Sequence, residues 1–220
     1  MKLVIGNKNL SSWSLRPWLM LKHAGAPFEE QLIPLEQPDT AARIAQVSPS
    51  GRVPVLIDGA LTVWDSLAIG EYLHDKFPLA RLWPENAAAR AIARSVSAEM
   101  HSGFPDLRND LSMHMRSVLK PRKLRPEVAA NIARIIDLWT DCRARFGAKA
   151  SGPFLFGSFT IADAMYAPVV SRFRTYAVDL TGPAKDYAAA VWALPALQEW
   201  HAAAQKETFA APAHEKTLTP

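Results

Sequence analysis

The stretch VPVLIDGALTVWDSLAI, residues 53–69, decides the fold. Val53 to Ile57 and Leu61 to Trp64 are short apolar runs joined through Asp58 and Gly59, the residue pair that closes a tight β-hairpin. Asp65 and Ser66 then cap a helix, which Leu67, Ile69, Tyr72 and Leu73 carry to about Phe77. Upstream, Phe28 to Leu35 reads as a strand with Pro34 near its end, and Asp39 to Gln46 as a short helix closed by the turn Ser48 to Gly51. Leu3, Val4 and Ile5, within Lys2 to Asn7, suit a first strand covered on both faces. Between these strands Ser11, Ser12 and Ser14 precede a helical spacing of Leu15, Trp18, Leu19 and Leu21 that Gly25 and Pro27 end. Serines suit the cap there, and Pro17 is expected in the first turn, where no amide is needed. The order over residues 1–77 predicts a mixed four-stranded sheet with helices on its faces.

Residues 78–85, with prolines at both 78 and 84, read as a linker, and residues 86–220 are helical in pattern with no further hairpin signal. The spacing predicts a helix over Glu127 to Phe146, started by Pro126 and ended by Gly147, with Val128, Ile132, Ile135, Trp139, Cys142 and Phe146 on one stripe. Cys142 is therefore a core residue rather than a catalytic thiol. Asn86 to Leu119 is a second helical stretch, with Met100, Phe104, Leu107, Leu111 and Met115 on one face and a kink or break at Gly103 and Pro105. Thr160 and Asp163 form a helix-start signature ahead of Met165, Val169 and Val170.

Composition narrows the function classes. The chain has 220 residues, 49% apolar and 21% charged, with a net charge of +4, which excludes a disordered or fibrous chain. One cysteine excludes a disulfide framework, a cysteine-rich metal cluster and a two-cysteine redox pair, and the six histidines show no metalloprotease spacing, so no metal is expected. No apolar run is long enough to span a membrane, and Met1 to Leu10 is too polar for a secretory signal, so a cytoplasmic protein with no membrane partner is expected. Arg116, Lys120, Arg122, Lys123 and Arg125 form a stretch free of acids. It is read as a solvated connection rather than a nucleic-acid site, because aromatic residues are not interleaved with it.

Three segments of the first 77 residues would converge above the sheet. The serines at the end of the first strand, Ser11 and Ser12 above all, offer hydroxyls beside free helix amides; they are either caps only or caps and site together. Val53 and Pro54 open an inner strand with a residue that cannot donate to a ladder, which suits an edge, a bulge or a cis peptide and an exposed backbone. Asp65 and Ser66 at a helix head could receive a carboxylate and an ammonium, as on an amino acid's zwitterionic end.

Taken together, SSWSLR at 11–16, SGRVPVL at 50–56, WDSLAI at 64–69 and GPFLFG at 152–157 ahead of Thr160 resemble the glutathione S-transferase family, in order and over nearly the whole chain. The resemblance implies an α/β plus all-α protein: a thioredoxin-like domain over 1–77 and an all-helical domain over 86–220. It implies glutathione as cosubstrate, bound by Arg52, Val53, Pro54, Asp65 and Ser66, with a homodimer as the usual assembly. A serine would donate a hydrogen bond to the sulfur and favour thiolate over thiol. Zeta-like spacing assigns that role to Ser11, the preferred candidate, and theta-like spacing to Ser12, held in reserve, while Ser14 is left to capping. A small hydrophobic electrophile would meet Met100, His101, Phe104 and Arg108 between the domains. The implied activity is conjugation, with zeta-like cis-trans isomerisation or a non-catalytic binding role as alternatives. Trp13 stands where the zeta motif has Cys, and Asp65 where Glu is frequent.

Overall fold

Strand β1 (Lys2–Ile5) is the inner strand on which the first half is built. In the computed structural model, which describes residues 1–212, it pairs in parallel with β2 (Glu29–Leu32) and antiparallel with β3 (Val55–Asp58), and β3 pairs antiparallel with β4 (Leu61–Trp64). Residues 213–220, including His214 and the end of the expected helical domain, lie outside the described residues. The sheet order is β2-β1-β3-β4. Alternation sorts the apolar side chains: Leu3, Ile5 and Leu56 belong to the large core, whereas Val4 and Val55 form a smaller cluster with Ile33 and Ile44. Helices α1 (Ser12–His23) and α3 (Ser66–Lys76) cover the first face, and α2 (Thr40–Ala45) brings Ile44 to the second. The mixed sheet expected from the sequence is present. Strand β2 is shorter than expected, because after the Ile33 amide bonds to the Ile5 carbonyl, the next amide that faces β1, that of Leu35, goes to the Asn7 side chain at 2.7 Å.

Helix α1 starts earlier than its apolar spacing suggests. With Ser11 as N-cap, Pro17 falls inside the helix, not in its first turn. Its nitrogen cannot bond to the carbonyl four residues back, that of Trp13. The helix tolerates this because it is buried on nearly every side, between the sheet and the helical half.

The second half contains α4 (Ala87–Ser102), α5 (Pro105–Asp110), α6 (Pro126–Cys142), α7 (Ile161–Thr175), α8 (Gly182–Trp192) and α9 (Pro195–Gln205). The expected stretch Asn86 to Leu119 is thus two short helices followed by irregular chain from Leu111 to Arg125. A Cβ on Gly103 would lie 2.6 Å from the Glu99 carbonyl oxygen, and Phe104 adopts a left-handed φ of 56° before Pro105 restarts the helix. The five apolar residues are nevertheless all buried. The basic stretch is satisfied largely by its own chain: Arg125 pairs with Asp110 at 2.7 Å, and Arg122 and Arg116 donate to the carbonyls of Asp110 and Glu207.

Helix α6 ends in a π-helical turn over Arg143–Gly147, close to the expected boundary. Burial pushes the Cys142 thiol up to about 12, so it is protonated and inert at neutral pH. Helix α7 is buried on nearly all sides and forms the centre of the molecule, packed against α1, α4 and α8. Leu82 and Trp83, in the expected linker, are buried in the same core, and the Leu82 carbonyl accepts the Ile161 amide at 2.9 Å. No helix among the described residues is long and apolar enough to cross a membrane.

At the head of α7 the Asp163 carboxylate accepts the Thr160 amide at 2.8 Å, the Thr160 hydroxyl at 2.9 Å and the Leu155 amide at 3.1 Å. Complete burial still pushes its carboxyl up to about 6, against those hydrogen bonds. The unfolded chain releases this proton near pH 4 and the native chain near pH 6, so the group's contribution to stability falls as pH rises between the two. Urea denaturation of wild type and Asp163→Asn should therefore show an advantage of the native residue that shrinks by about 2 kcal/mol from pH 4 to pH 7. A constant difference would contradict the assignment.

Candidate active site

The loop between β1 and α1 carries the serines, and the helical half holds it. The Trp200 indole donates to the Lys8 carbonyl at 2.7 Å, and the Glu207 carboxylate accepts the Lys8 and Asn9 amides at 2.6 and 2.9 Å. The Asn9 carbonyl accepts the Met115 amide at 3.1 Å, and its side-chain oxygen accepts the Arg116 amide at 3.0 Å. Ser11 then caps α1 by accepting the Ser14 amide at 3.4 Å, while its hydroxyl donates to Ser14 Oγ at 2.7 Å. The capping role expected of Ser14 thus belongs to Ser11. Ser14 is fully buried inside the helix, where its Oγ also accepts the Gly6 amide at 3.1 Å. Ser12 Oγ accepts a hydrogen bond from Arg172 Nη2 of α7 at 3.3 Å.

Two adjoining clefts open at the junction of the halves. One, about 520 Å³, is lined by Ser11, Ser12, Trp13, Arg52, Val53, Arg108, Met113 and Arg172, with Leu10, Leu35 and Ile44 as apolar wall. The other, about 590 Å³, is lined by Trp13, Arg52, Val53, Pro54, Trp64, Asp65, Ser66, His101 and Arg108. Trp13, Arg52, Val53 and Arg108 belong to both. The Val53–Pro54 peptide is cis, and the ladder between β1 and β3 begins only at Val55, so Val53 is left at the cleft wall.

Asp65 is the N-cap of α3, at a φ of 72° that only surrounding structure can impose on a residue with a Cβ. One carboxylate oxygen accepts the Leu67 and Ala68 amides at 2.8 and 3.3 Å, and the other meets His101 Nε2 at 2.6 Å. Burial alone would raise this carboxyl, but those hydrogen bonds hold it below the usual range, so it is ionised. Beside it the buried Ser66 Oγ has no hydrogen-bond partner among the described residues.

Three arginines lie around the serine end. Arg16 is fully buried; its Nε donates to the Met165 carbonyl at 3.2 Å, and its two terminal nitrogens have no hydrogen-bond partner among the described residues. Arg172 is 4% exposed, donates to the Leu111 carbonyl and to Ser12, and leaves Nη1 without a hydrogen-bond partner among the described residues. Arg108 donates to the His101 carbonyl at 3.1 Å. None of the three forms an ion pair with an acid among the described residues. Burial, then repulsion from Arg108, lowers Arg172 to about 10, and Arg16 is lowered by burial and by both other arginines.

Of the residues expected to meet an electrophile, His101 and Arg108 stand on the cleft walls. Met100 and Phe104 do not; they are core residues, 0% and 7% exposed. One step along a helix turns the side chain by 100°, so Met100 and His101 cannot share a face. Trp13, Arg16 and Arg172 were missed by sequence reasoning. An arginine close behind the apolar run 164–170 was the one available signal for Arg172. Among the described residues no three His, Cys, Asp or Glu side chains converge as a metal site would require.

Residues 10–76 match the glutathione S-transferase N-terminal domain, and residues 122–203 the glutathione S-transferase C-terminal domain. The chain belongs to the glutathione S-transferase family. It is 31% identical over 98 residues to a probable maleylacetoacetate isomerase of Caenorhabditis elegans, covering 44% of this chain and 45% of that one. To glutathione S-transferase T1 of Arabidopsis thaliana it is 30% identical over 164 residues, 72% of this chain and 66% of the relative. The matches thus span 45% and 66% of those relatives' own lengths. In fold it is similar to a glutathione transferase homolog from Burkholderia solved with bound glutathione, with a TM-score of 0.68, 22% identity and coverage of 94% of this chain and 98% of that one. His101 and Arg108 fall between the two family-matched segments.

Asp65 therefore has a structural duty that can be measured apart from any ligand. Asp65→Ala should lower unfolding stability by about 1–2 kcal/mol through loss of the cap, and Asp65→Asn should recover most of it, as read from urea midpoints.

Proposed function

We propose that the chain is a glutathione transferase that lies glutathione across both clefts, with its γ-glutamyl end at Asp65 and Ser66 and its sulfur at the head of α1. The ionised Asp65 carboxylate suits the γ-glutamyl ammonium, and the unpartnered Ser66 hydroxyl with the α3 amides suits its carboxylate. Val53, ahead of the ladder, offers its backbone to the cysteinyl residue between them, and Arg52 and Pro54 stand beside it.

The chemical task is to favour a thiolate, since a free thiol of pKa about 8.5 is mostly protonated at neutral pH. The observation that carries this reading is the hydrogen bonding of the two candidate serines. The Ser11 proton is given to Ser14, whereas Ser12 Oγ accepts from Arg172 and keeps its own proton free to donate. Ser12 is then the donor to sulfur, ahead of Ser11, and the neighbouring guanidinium adds a favourable positive potential. The thiol proton leaves to solvent, and the sulfur lone pair forms the new bond to the electrophilic carbon while its leaving group, a halide in an aryl halide, departs with the electron pair of the broken bond.

The three arginines, none of them in an ion pair among the described residues although the Asp65 charge reaches Arg16, favour an electrophile that carries a carboxylate, with Leu10, Leu35, Ile44 and Met113 receiving its apolar part. The same cations support a second reading, isomerisation of an unsaturated dicarboxylate. There glutathione adds to a double bond, the new single bond rotates, and the thiolate leaves. The assembly we propose is a homodimer. It is supported by the exposed apolar residues Leu61 and Trp64 of edge strand β4 and by Leu79, which is 95% exposed.

Glutathione bound to wild type should show thiolate absorbance at pH 6.5. Ser12→Ala should lose it and about 100-fold in turnover at that pH, the effect of roughly two pKa units at the sulfur, while Ser11→Ala keeps more of both. Full activity in both variants would refute the serine role. Conjugation of 1-chloro-2,4-dinitrobenzene and isomerisation of maleylacetone, assayed in parallel, separate the two reactions; absence of both, with no glutathione binding, would leave only a binding protein.

A further inference from the structure

The two clefts meet at one side chain. Trp13, second residue of α1, lines both, and its indole is surrounded by positive or ionisable groups. The Arg16 guanidinium carbon lies 4.1 Å from the ring centroid and that of Arg108 5.6 Å, while the His101 ring meets the indole edge-on at 5.3 Å and 65°. His101 in turn holds Asp65, and Arg108 faces the cleft of Ser12 and Arg172. One ring thus touches the machinery at both ends of the site.

The contact with Arg108 matters because that guanidinium has few other anchors. It donates to the His101 backbone carbonyl, and no acid among the described residues pairs with it. Arg16 and Arg172 are close enough to repel it or be repelled by it. A half-buried arginine in this position would turn outward to water unless an apolar, electron-rich surface held it. The indole is that surface. It also fills volume between the serines and His101 that a small side chain would leave open.

We propose that Trp13 is a specificity-determining residue: its indole positions the Arg108 guanidinium toward the serine cleft and limits that cleft's width, so that compact electrophiles bearing a carboxylate are preferred. This rests on the glutathione transferase reading above. Replacement by a small residue frees Arg108 and widens the cleft, which costs the carboxylated electrophile more than the neutral one. Phenylalanine retains an aromatic face and so most of the preference.

The test compares kcat/KM for 4-chloro-3,5-dinitrobenzoate and 1-chloro-2,4-dinitrobenzene in wild type, Trp13→Phe, Trp13→Ala and Arg108→Ala. Glutathione affinity of each is measured by calorimetry and its fold by melting temperature. The expected result is a carboxylate-to-neutral ratio that falls about fivefold to tenfold in Trp13→Ala and in Arg108→Ala, and less than twofold in Trp13→Phe. If both electrophiles slow equally in Trp13→Ala, the ring is structural and the proposal is overturned; an unchanged ratio in Arg108→Ala overturns it as well. Failure of wild type to bind glutathione would instead remove the reading on which the proposal rests, and calorimetry reports that separately.

Discussion

The burial of α1 between the sheet and α7 is the constraint on which the rest depends. From Ser12 to Leu21 every residue of that helix except Trp13 is buried. Arg16 Nε is tied to the Met165 carbonyl of α7, so the helix cannot shift against the second half without stranding a guanidinium. With the helix fixed, its first turn is fixed as well. Ser11, Ser12 and Trp13 therefore face α5 and α7 across a cleft of set width, and the Trp200 and Glu207 contacts keep the preceding loop from moving away.

The charge pattern follows from the same packing and works against simple stability. Buried cations without acids are costly, and the orphaned nitrogens of Arg16 and Arg172 add to that cost. Elsewhere the chain pairs its charges, as Arg94 with Glu71 and Arg134 with Glu99, so the lack of acids around the serine cleft is local. A local excess of positive charge in a cleft lowers the energy of a thiolate and attracts a carboxylate. At the other end Asp65 reverses the sign, which suits a ligand whose two ends differ in charge.

Much of the frame was legible before the structure, because it rests on local chemistry. The hairpin through Asp58 and Gly59, the Asp65 cap, the stripe of α6 and the Thr160 to Asp163 helix start all depend on residues within one or two turns of each other. The misreadings share a cause. Helix α1 begins three residues before its apolar spacing, since Ser12 and Ser14 are polar yet buried, and only tertiary contacts reward that. Leu111, Met113 and Met115 are buried as in a helix core but their segment follows an irregular path, and Asn9 takes up the amides of Met115 and Arg116 that a helix would have used.

The amino-acid order by itself determined the mixed sheet, the helical second half and the motifs at Ser11, Ser12, Val53, Pro54, Asp65 and Ser66, because periodicity, turn chemistry and capping act over a few residues. Tertiary structure alone decided that the Ser11 hydroxyl donates to Ser14, that His101 meets Asp65, that Met100 and Phe104 turn inward, and that Arg172 arrives beside Ser12 from 160 residues away. Hydrogen-bond direction and the meeting of like charges are properties of side chains brought together across the chain, and no local pattern encodes them.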